Sequence, residues 1–172
     1  MDSEVKIIKG GIAVDDRGML SFINEFDFEG VKRFYMVENF EKNFIRAWHG
    51  HKNEGKYVTV VSGTAKIGYV DLREIEDWNM ITDIITCEEP PDHVSDDVVS
   101  KIMDTEAKYI TCSARTPSII WIPPGFVNGA MNLEPDTRIV YFSTKGLGES
   151  EGDDYRYPWL CWGEEGWEPE YR

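Results

Sequence analysis

Short runs of alternating apolar and polar residues, cut by turn residues, dominate this chain. Such a period of two predicts half-buried strands. Residues 5–9 alternate before Gly10-Gly11, and 19–24 follow the turn Asp15-Asp16-Arg17-Gly18. Residues 32–38 carry Phe34 and Tyr35, and 138–143 form the last convincing strand. The runs 57–61 and 65–70 flank Ser62-Gly63-Thr64, a spacing that reads as a hairpin. Residues 118–122 run into Pro123-Pro124-Gly125, which ends any regular element. Many short strands with turns at near-regular spacing predict a sandwich, a jelly roll or a barrel.

Two stretches break that rhythm. Residues 74–108 are acidic, and Val94, Val98, Val99, Ile102 and Met103 fall at helical spacing after Ser95, a candidate N-cap. One short helix in an excursion from the strand scaffold is expected there. Residues 144–172 combine Gly146, Gly148 and Gly152 with aromatics and acids, the pattern of a tail packed over the barrel mouth or a neighbour. No repeat and no linker-like composition divides residues 1–172, so a single domain is expected.

Composition narrows the function classes. The chain is 41% apolar and 13% aromatic, too rich in core-forming residues for a disordered segment. No apolar run approaches the roughly 18 residues of a membrane span, and residues 1–10 hold no secretory apolar region. Cys87, Cys112 and Cys161 are odd in number and far apart, which reads as reduced thiols in a cytoplasmic protein. A net charge of −14 makes nucleic acid an unsuitable partner. It does not exclude an anionic ligand in an interior site, where nearby groups set the field.

Arg46-Ala-Trp-His49-Gly-His51-Lys52 is the most informative segment. In a strand His49 and His51 share a face with Ala47, and Trp48 lies opposite. Two inward imidazoles are costly unless they bind or catalyse. Strict alternation puts Arg46 opposite His49, so a bulge or strand end is needed to bring both to one ligand.

The order His-x-His, Glu54, Gly63, then Pro123-Pro-Gly125-x-x-Asn128 resembles the two paired motifs of the cupins. The resemblance implies an all-β fold, a cupin jelly-roll barrel of short antiparallel strands with a helical excursion. Metal cupins use His-x-His, a Glu and a later His. Asn128 stands at the last position and Glu54 comes early, so no metal and no cofactor is expected. A metal-dependent cupin using His49, His51 and Glu54 stays as an alternative, as does a non-catalytic sugar-nucleotide-binding cupin.

The metal-free nucleotide-sugar cupins fit better. Asp16-Arg17-Gly18, Arg46-x-x-His49, Gly55-Lys56, Val70-Asp71-Leu-Arg73, Trp121 to Gly129 and the Tyr141 strand resemble the dTDP-4-dehydrorhamnose 3,5-epimerases. Val31-Lys32-Arg33-Phe-Tyr35 and His49-Gly-His51-Lys52 are similar to the dTDP-sugar 3,4-ketoisomerases. Both resemblances imply a nucleotide-diphosphate sugar with a 4-keto group and a homodimer. Both imply His49 as the base, and the epimerase resemblance implies Lys56 beside the enolate oxygen and Tyr141 as the acid returning the proton. Tyr35 matches a ketoisomerase tyrosine, and Asp153 or Asp154 matches the carboxylate that orients the base. Arg17, Arg46, His51, Arg73 and Asn128 are the implied substrate contacts, with Arg17 reaching a neighbouring subunit's site.

Overall fold

A computed structural model describes residues 3–86 and 94–169; Cys87 lies outside the described residues. Its strands are β1 (Lys6–Lys9), β2 (Gly11–Asp15), β3 (Gly18–Phe22), β4 (Arg33–Glu38), β5 (Ile45–His51) and β6 (Lys56–Ser62). They continue with β7 (Thr64–Asp71), β8 (Lys108–Ser113), β9 (Ser118–Ile122), β10 (Phe126–Asn132), β11 (Arg138–Ser143) and β12 (Tyr155–Arg156). Two five-stranded antiparallel sheets, ordered β1-β9-β6-β11-β4 and β12-β5-β10-β7-β8, make a cupin-type jelly roll. Among the described residues the two sheets pack as the expected jelly roll without strand pairing that closes them into one barrel. Strands β2 and β3 form a separate exposed hairpin.

The expected hairpin at Ser62-Gly63-Thr64 is corrected. Strand β6 pairs with β9 and β11, whereas β7 pairs with β10 and β8. Gly63 sits at φ +71°, where a side chain is strained, and turns a corner from one sheet into the other. Alternation reports that each run is a strand but not which strand it joins.

Apolar residues separate into two cores. Between the sheets lie Val58, Val60, Ile67, Ile120, Ile122, Phe126, Ile139 and Tyr141. The second core covers the outer face of the β5/β10/β7 sheet, where Trp48, Trp78, Ile81, Ile84, Ile102 and Trp167 meet. The excursion supplies part of it through a 3₁₀ turn (Trp78–Met80), α1 (Ile81–Thr86) and α2 (Asp96–Met103). Ser95 occupies the N-cap of α2 with extended backbone, yet its side chain makes no capping hydrogen bond. The tail packs on this same face: Trp48 meets Trp162 and Trp167 at ring centroids of 5.4 and 5.0 Å. The buried Lys66 ammonium donates to the Gly166 carbonyl at 2.8 Å and fastens it there. The tail thus belongs mainly to the sheet's outer face, with only 147–156 at the mouth between the sheets.

Candidate active site

One open end of the sandwich holds a cavity of about 440 Å³. Its walls come from both sheets and from the tail. Strand β5 contributes Arg46, His49 and His51; β4 contributes Arg33, Tyr35 and Val37; β6, β10 and β11 contribute Lys56, Asn128 and Tyr141. The short helix α3 (Leu147–Ser150), β12 and the connection between them close one side with Ser150, Arg156 and Asp154 respectively.

A bulge explains how Arg46 and His49 reach one cavity. Asn128 lies opposite His49 and Ala130 opposite Arg46, so two steps on β10 span three on β5. The extra residue shifts the alternation by one. Arg46, rather than Ala47, therefore shares the cavity face with His49, while Trp48 remains buried in the outer core. A β-carbon on Gly129 would stand 2.3 Å from Ala47 Cβ, so the bulge needs a glycine opposite it. Asn128 Nδ2 donates to the His49 carbonyl at 3.1 Å, so this amide braces the strand that carries His49.

Burial chiefly, then the charges of Lys56 and Arg156, press the His49 pKa from 6.5 to about 4. Its imidazole is neutral at pH 7, the form that accepts a proton. His51 is lowered by the same burial and by Lys56. Burial also brings Lys56 down to about 8, against the opposing pull of Glu54. The tyrosines move the other way: burial raises Tyr35 to about 12 and Tyr141 still further. Both phenols keep their protons, and their rings stack in parallel at 5.0 Å on one wall.

The two tail carboxylates divide their work. Asp153 is buried and accepts the amides of Lys52 and Asn53 at 2.8 and 2.7 Å, holding the turn after β5. Asp154 lines the cavity. Burial opposes its charge, but hydrogen bonds from Arg156 at 2.8 and 3.0 Å outweigh this and keep its carboxyl below the ordinary range. Asp154 is therefore the carboxylate of the pair that lines the cavity together with His49 and His51 and acts on their charge.

Eight of the ten residues singled out from sequence line this one cavity: His49, His51, Lys56, Tyr35, Tyr141, Asp154, Arg46 and Asn128. Two do not. Arg73 turns outward, paired with Asp71 and Glu4 and lying over the Phe126 ring at 4.9 Å, so its place is corrected to an outer ion cluster. Arg17 stands in the turn between β2 and β3, its side chain 86% exposed and paired with Asp15, outside the cavity of its own chain. Sequence reasoning missed Arg33, Ser150 and Arg156. Arg33 was within reach, since alternation from Tyr35 puts both on one face. Arg156 lies in a two-residue strand recognisable only by its pairing with β5. Among the described residues no group of three His, Cys, Asp or Glu is placed to hold a metal ion, so His49, His51 and Glu54 do not fit a metal site.

No family model matches this chain, and no curated protein matches it. Solved structures do. The dTDP-4-dehydrorhamnose 3,5-epimerase of Bacillus anthracis, with TDP and PPi bound, superposes with a TM-score of 0.65 at 19% identity, covering 91% of this chain and 80% of that one. The rmlC epimerase of Mycobacterium tuberculosis gives 0.64 at 16% identity, covering 91% and 70%. The sugar 3,4-ketoisomerase QdtA of Thermoanaerobacterium thermosaccharolyticum, in complex with TDP, gives 0.57 at 19% identity, covering 94% and 93%. The chain has the cupin fold of these nucleotide-sugar enzymes. At such identities the likeness carries the fold, and the chemistry has to be argued from the cavity. Among the described residues no helix is long and apolar enough to cross a membrane.

Proposed function

We propose that this protein is a cofactor-free isomerase of a nucleotide-linked 4-keto-6-deoxy sugar, with epimerisation next to the keto group as its reaction. The observation that carries this reading is the convergence of a neutral imidazole, an ammonium and two protonated phenols on one cavity. Four cations, Arg33, Arg46, Lys56 and Arg156, line it on a chain of net charge −14. That local reversal suits a diphosphate, and Arg46 and Arg156 are its holders in this reading.

The chemistry follows from the groups. His49 removes the proton from the carbon beside the keto group, and the electron pair moves onto the carbonyl oxygen as an enolate. The Lys56 ammonium faces that oxygen and stabilises its charge. Tyr141 donates a proton to the opposite face of the same carbon, restoring the ketone with inverted configuration. Asp154 balances the imidazolium that His49 has become. A ketoisomerase is the second reading, favoured by Tyr35, whose ring lies against Tyr141 on the same wall. It uses the same first step, passes the proton of the hydroxyl on that carbon to the enolate oxygen, and returns the abstracted proton to the former carbonyl carbon, so that the ketone moves to the neighbouring position.

A homodimer is part of the proposal. The outer face of β4 leaves Phe34 70% and Met36 55% exposed, with Phe28 beside Phe142 on the same side. Covering such a patch with a second copy removes it from water. The reading also places the enzyme in the cytoplasm, where nucleotide sugars are made and Cys112 and Cys161 remain free thiols.

Incubation of the protein with dTDP-4-keto-6-deoxyglucose in D₂O, followed by proton NMR, tests the reaction. Deuterium is expected at a carbon flanking the keto group, with an inverted 4-keto product for an epimerase and a 3-keto product for a ketoisomerase. Binding of dTDP with no exchange at any carbon would instead identify a binding protein that lacks the chemistry.

A further inference from the structure

Beneath the cavity floor lies a carboxylate that takes no direct part in this chemistry. Glu54 is 2% exposed and stands in the connection between β5 and β6, yet its oxygens reach five other elements. Ser143 of β11 donates to it at 2.8 Å, and Ser150 of α3 donates to its other oxygen. Arg33 of β4 donates at 3.3 Å. His51 Nδ1 of β5 lies 3.7 Å away, and Lys56 Nζ of β6 lies 3.8 Å away.

A buried carboxylate is costly unless it is paired and hydrogen-bonded. Burial pushes the Glu54 pKa up, but the hydroxyls of Ser150 and Ser143 and the charge of Lys56 outweigh it, leaving the group ionised. Lys56 has the converse problem. It is 4% exposed, with Arg33 and the two histidines nearby and Asp153 and Asp154 as more distant carboxylates. At 3.8 Å Glu54 is an ion-pair partner without accepting a hydrogen bond from Lys56, because its oxygens are taken up by serine hydroxyls and Arg33. The ammonium is neutralised, while its N–H donors stay free to turn toward the cavity.

We infer that Glu54 is a positioning residue, which keeps Lys56 an ammonium directed into the cavity and ties α3 to the wall beside it. The inference rests on the proposed role of Lys56 opposite an enolate oxygen. Its test does not need that reaction. In protein labelled with ¹³C-lysine, the Lys56 ε-carbon is followed against pH and assigned by its loss in Lys56→Arg. The wild-type midpoint is expected near 8. In Glu54→Gln, which keeps the shape and loses the charge, the midpoint falls by about one pH unit, a tenfold rise in acid dissociation constant. Glu54→Asp, which keeps the charge, stays within threefold of wild type.

A purely structural role reverses this order, with Asp more disruptive than Gln, and an unmoved midpoint in Glu54→Gln overturns the inference. If that variant does not fold, the Glu54 carboxyl carbon in wild type provides the answer. It must shift as Lys56 titrates, and a flat trace through pH 8 sinks the proposal. Where the 4-keto sugar is turned over, Glu54→Gln moves the upper limb of the kcat profile down by about one pH unit, a loss of about twofold at pH 7 that approaches tenfold above pH 8, and changes KM less than threefold, since Arg46 and Arg156 are untouched. A protein that shows the lysine shift but no exchange on any 4-keto sugar refutes the function and leaves the role of Glu54 standing.

Discussion

The acid limb of the pH–rate profile is where the cavity makes its most specific demand. His49 falls from 6.5 to about 4 because of burial first, then Lys56, Arg156 and Arg46. At 1.36 kcal/mol per pH unit this is roughly 3 kcal/mol in favour of the neutral ring. In the free enzyme the base is therefore unprotonated through the whole neutral range. kcat/KM for deuterium exchange, which reports the free enzyme, should be flat from about pH 5 to 7. It should fall with an inflection near 4, and an upper limb near 8 marks loss of the Lys56 proton. A bound diphosphate changes the balance, because it places negative charge beside the cations that depress His49. One phosphate charge roughly 8 Å from the ring, at an effective dielectric of about 20, contributes about 2 kcal/mol. The acid inflection in kcat, which reports the complex, should lie one to two pH units above that in kcat/KM. The assay is NMR-detected exchange in buffered D₂O from pH 4 to 9, with wild type and His49→Asn in parallel. His49→Asn should lose 10²- to 10⁴-fold in exchange. An acid inflection in kcat/KM at 6.5, or one identical in the two parameters, refutes the account of His49.

Stability should follow the same group. The unfolded histidine takes a proton below about 6.5, whereas the folded one does not until about 4. The contribution of His49 to folding is thus fully present above 6.5 and lost as pH falls to 4, at most about 3 kcal/mol; urea melts at pH 7.5 and 4.5 should differ in that direction for wild type, and by less for His49→Asn. Asp153→Ala leaves the Lys52 and Asn53 amides without their acceptor and should cost about 2–3 kcal/mol in urea unfolding, whereas Asp154→Ala should lower exchange with little loss of stability. Gly129→Ala forces the bulge against Ala47 and should cost about 1–3 kcal/mol; an unchanged melt would mean that β10 yields more readily than its full burial suggests. Light scattering at micromolar concentration should give twice the chain mass, and a monomer contradicts the covering of Phe34 and Met36.

Much of the cavity was legible because its members sit in local patterns. His49 and His51 share a strand face by period two, Lys56 and Tyr141 come from recognisable runs at a strand start and within a strand, and Asn128 follows the Pro123-Pro-Gly125 stop at a fixed spacing. The pairing of strands was not legible. Residues 62–64 look like a hairpin turn from inside the sequence, and only the competition from β9, β10 and β11 sends β6 and β7 into different sheets. The same limit hid strand β10. Buried on both faces, Phe126–Asn132 shows no alternation to read. Arg73 went astray for a simpler reason: a guanidinium near a motif goes to whichever carboxylate is nearest, and Asp71 is two residues away. Glu54 drew notice only as an incomplete metal ligand, since nothing local announces that serines at 143 and 150 will meet it.

The pairing of β12 with β5 carries a consequence for how the molecule comes into being. Arg156 lies opposite His49, and the Asp153 carboxylate grips the amide of Lys52, 101 residues away along the chain. Pairings of similar span join β1 to β9 and β4 to β11, but those strands are four to six residues long, whereas β12 is a two-residue strand at the edge of its sheet. The two jelly-roll sheets therefore have reason to assemble first and the cavity wall last, where the fewest contacts offset the entropy of loop closure. A nascent chain has no complete cavity until Arg156 has emerged, and an early opening of the native state exposes His49 before the sheets come apart. Hydrogen exchange at Trp48 and Gly50, across from that wall, should accordingly outpace exchange in the β6/β11 pair, and a ligand that bridges the wall should slow it.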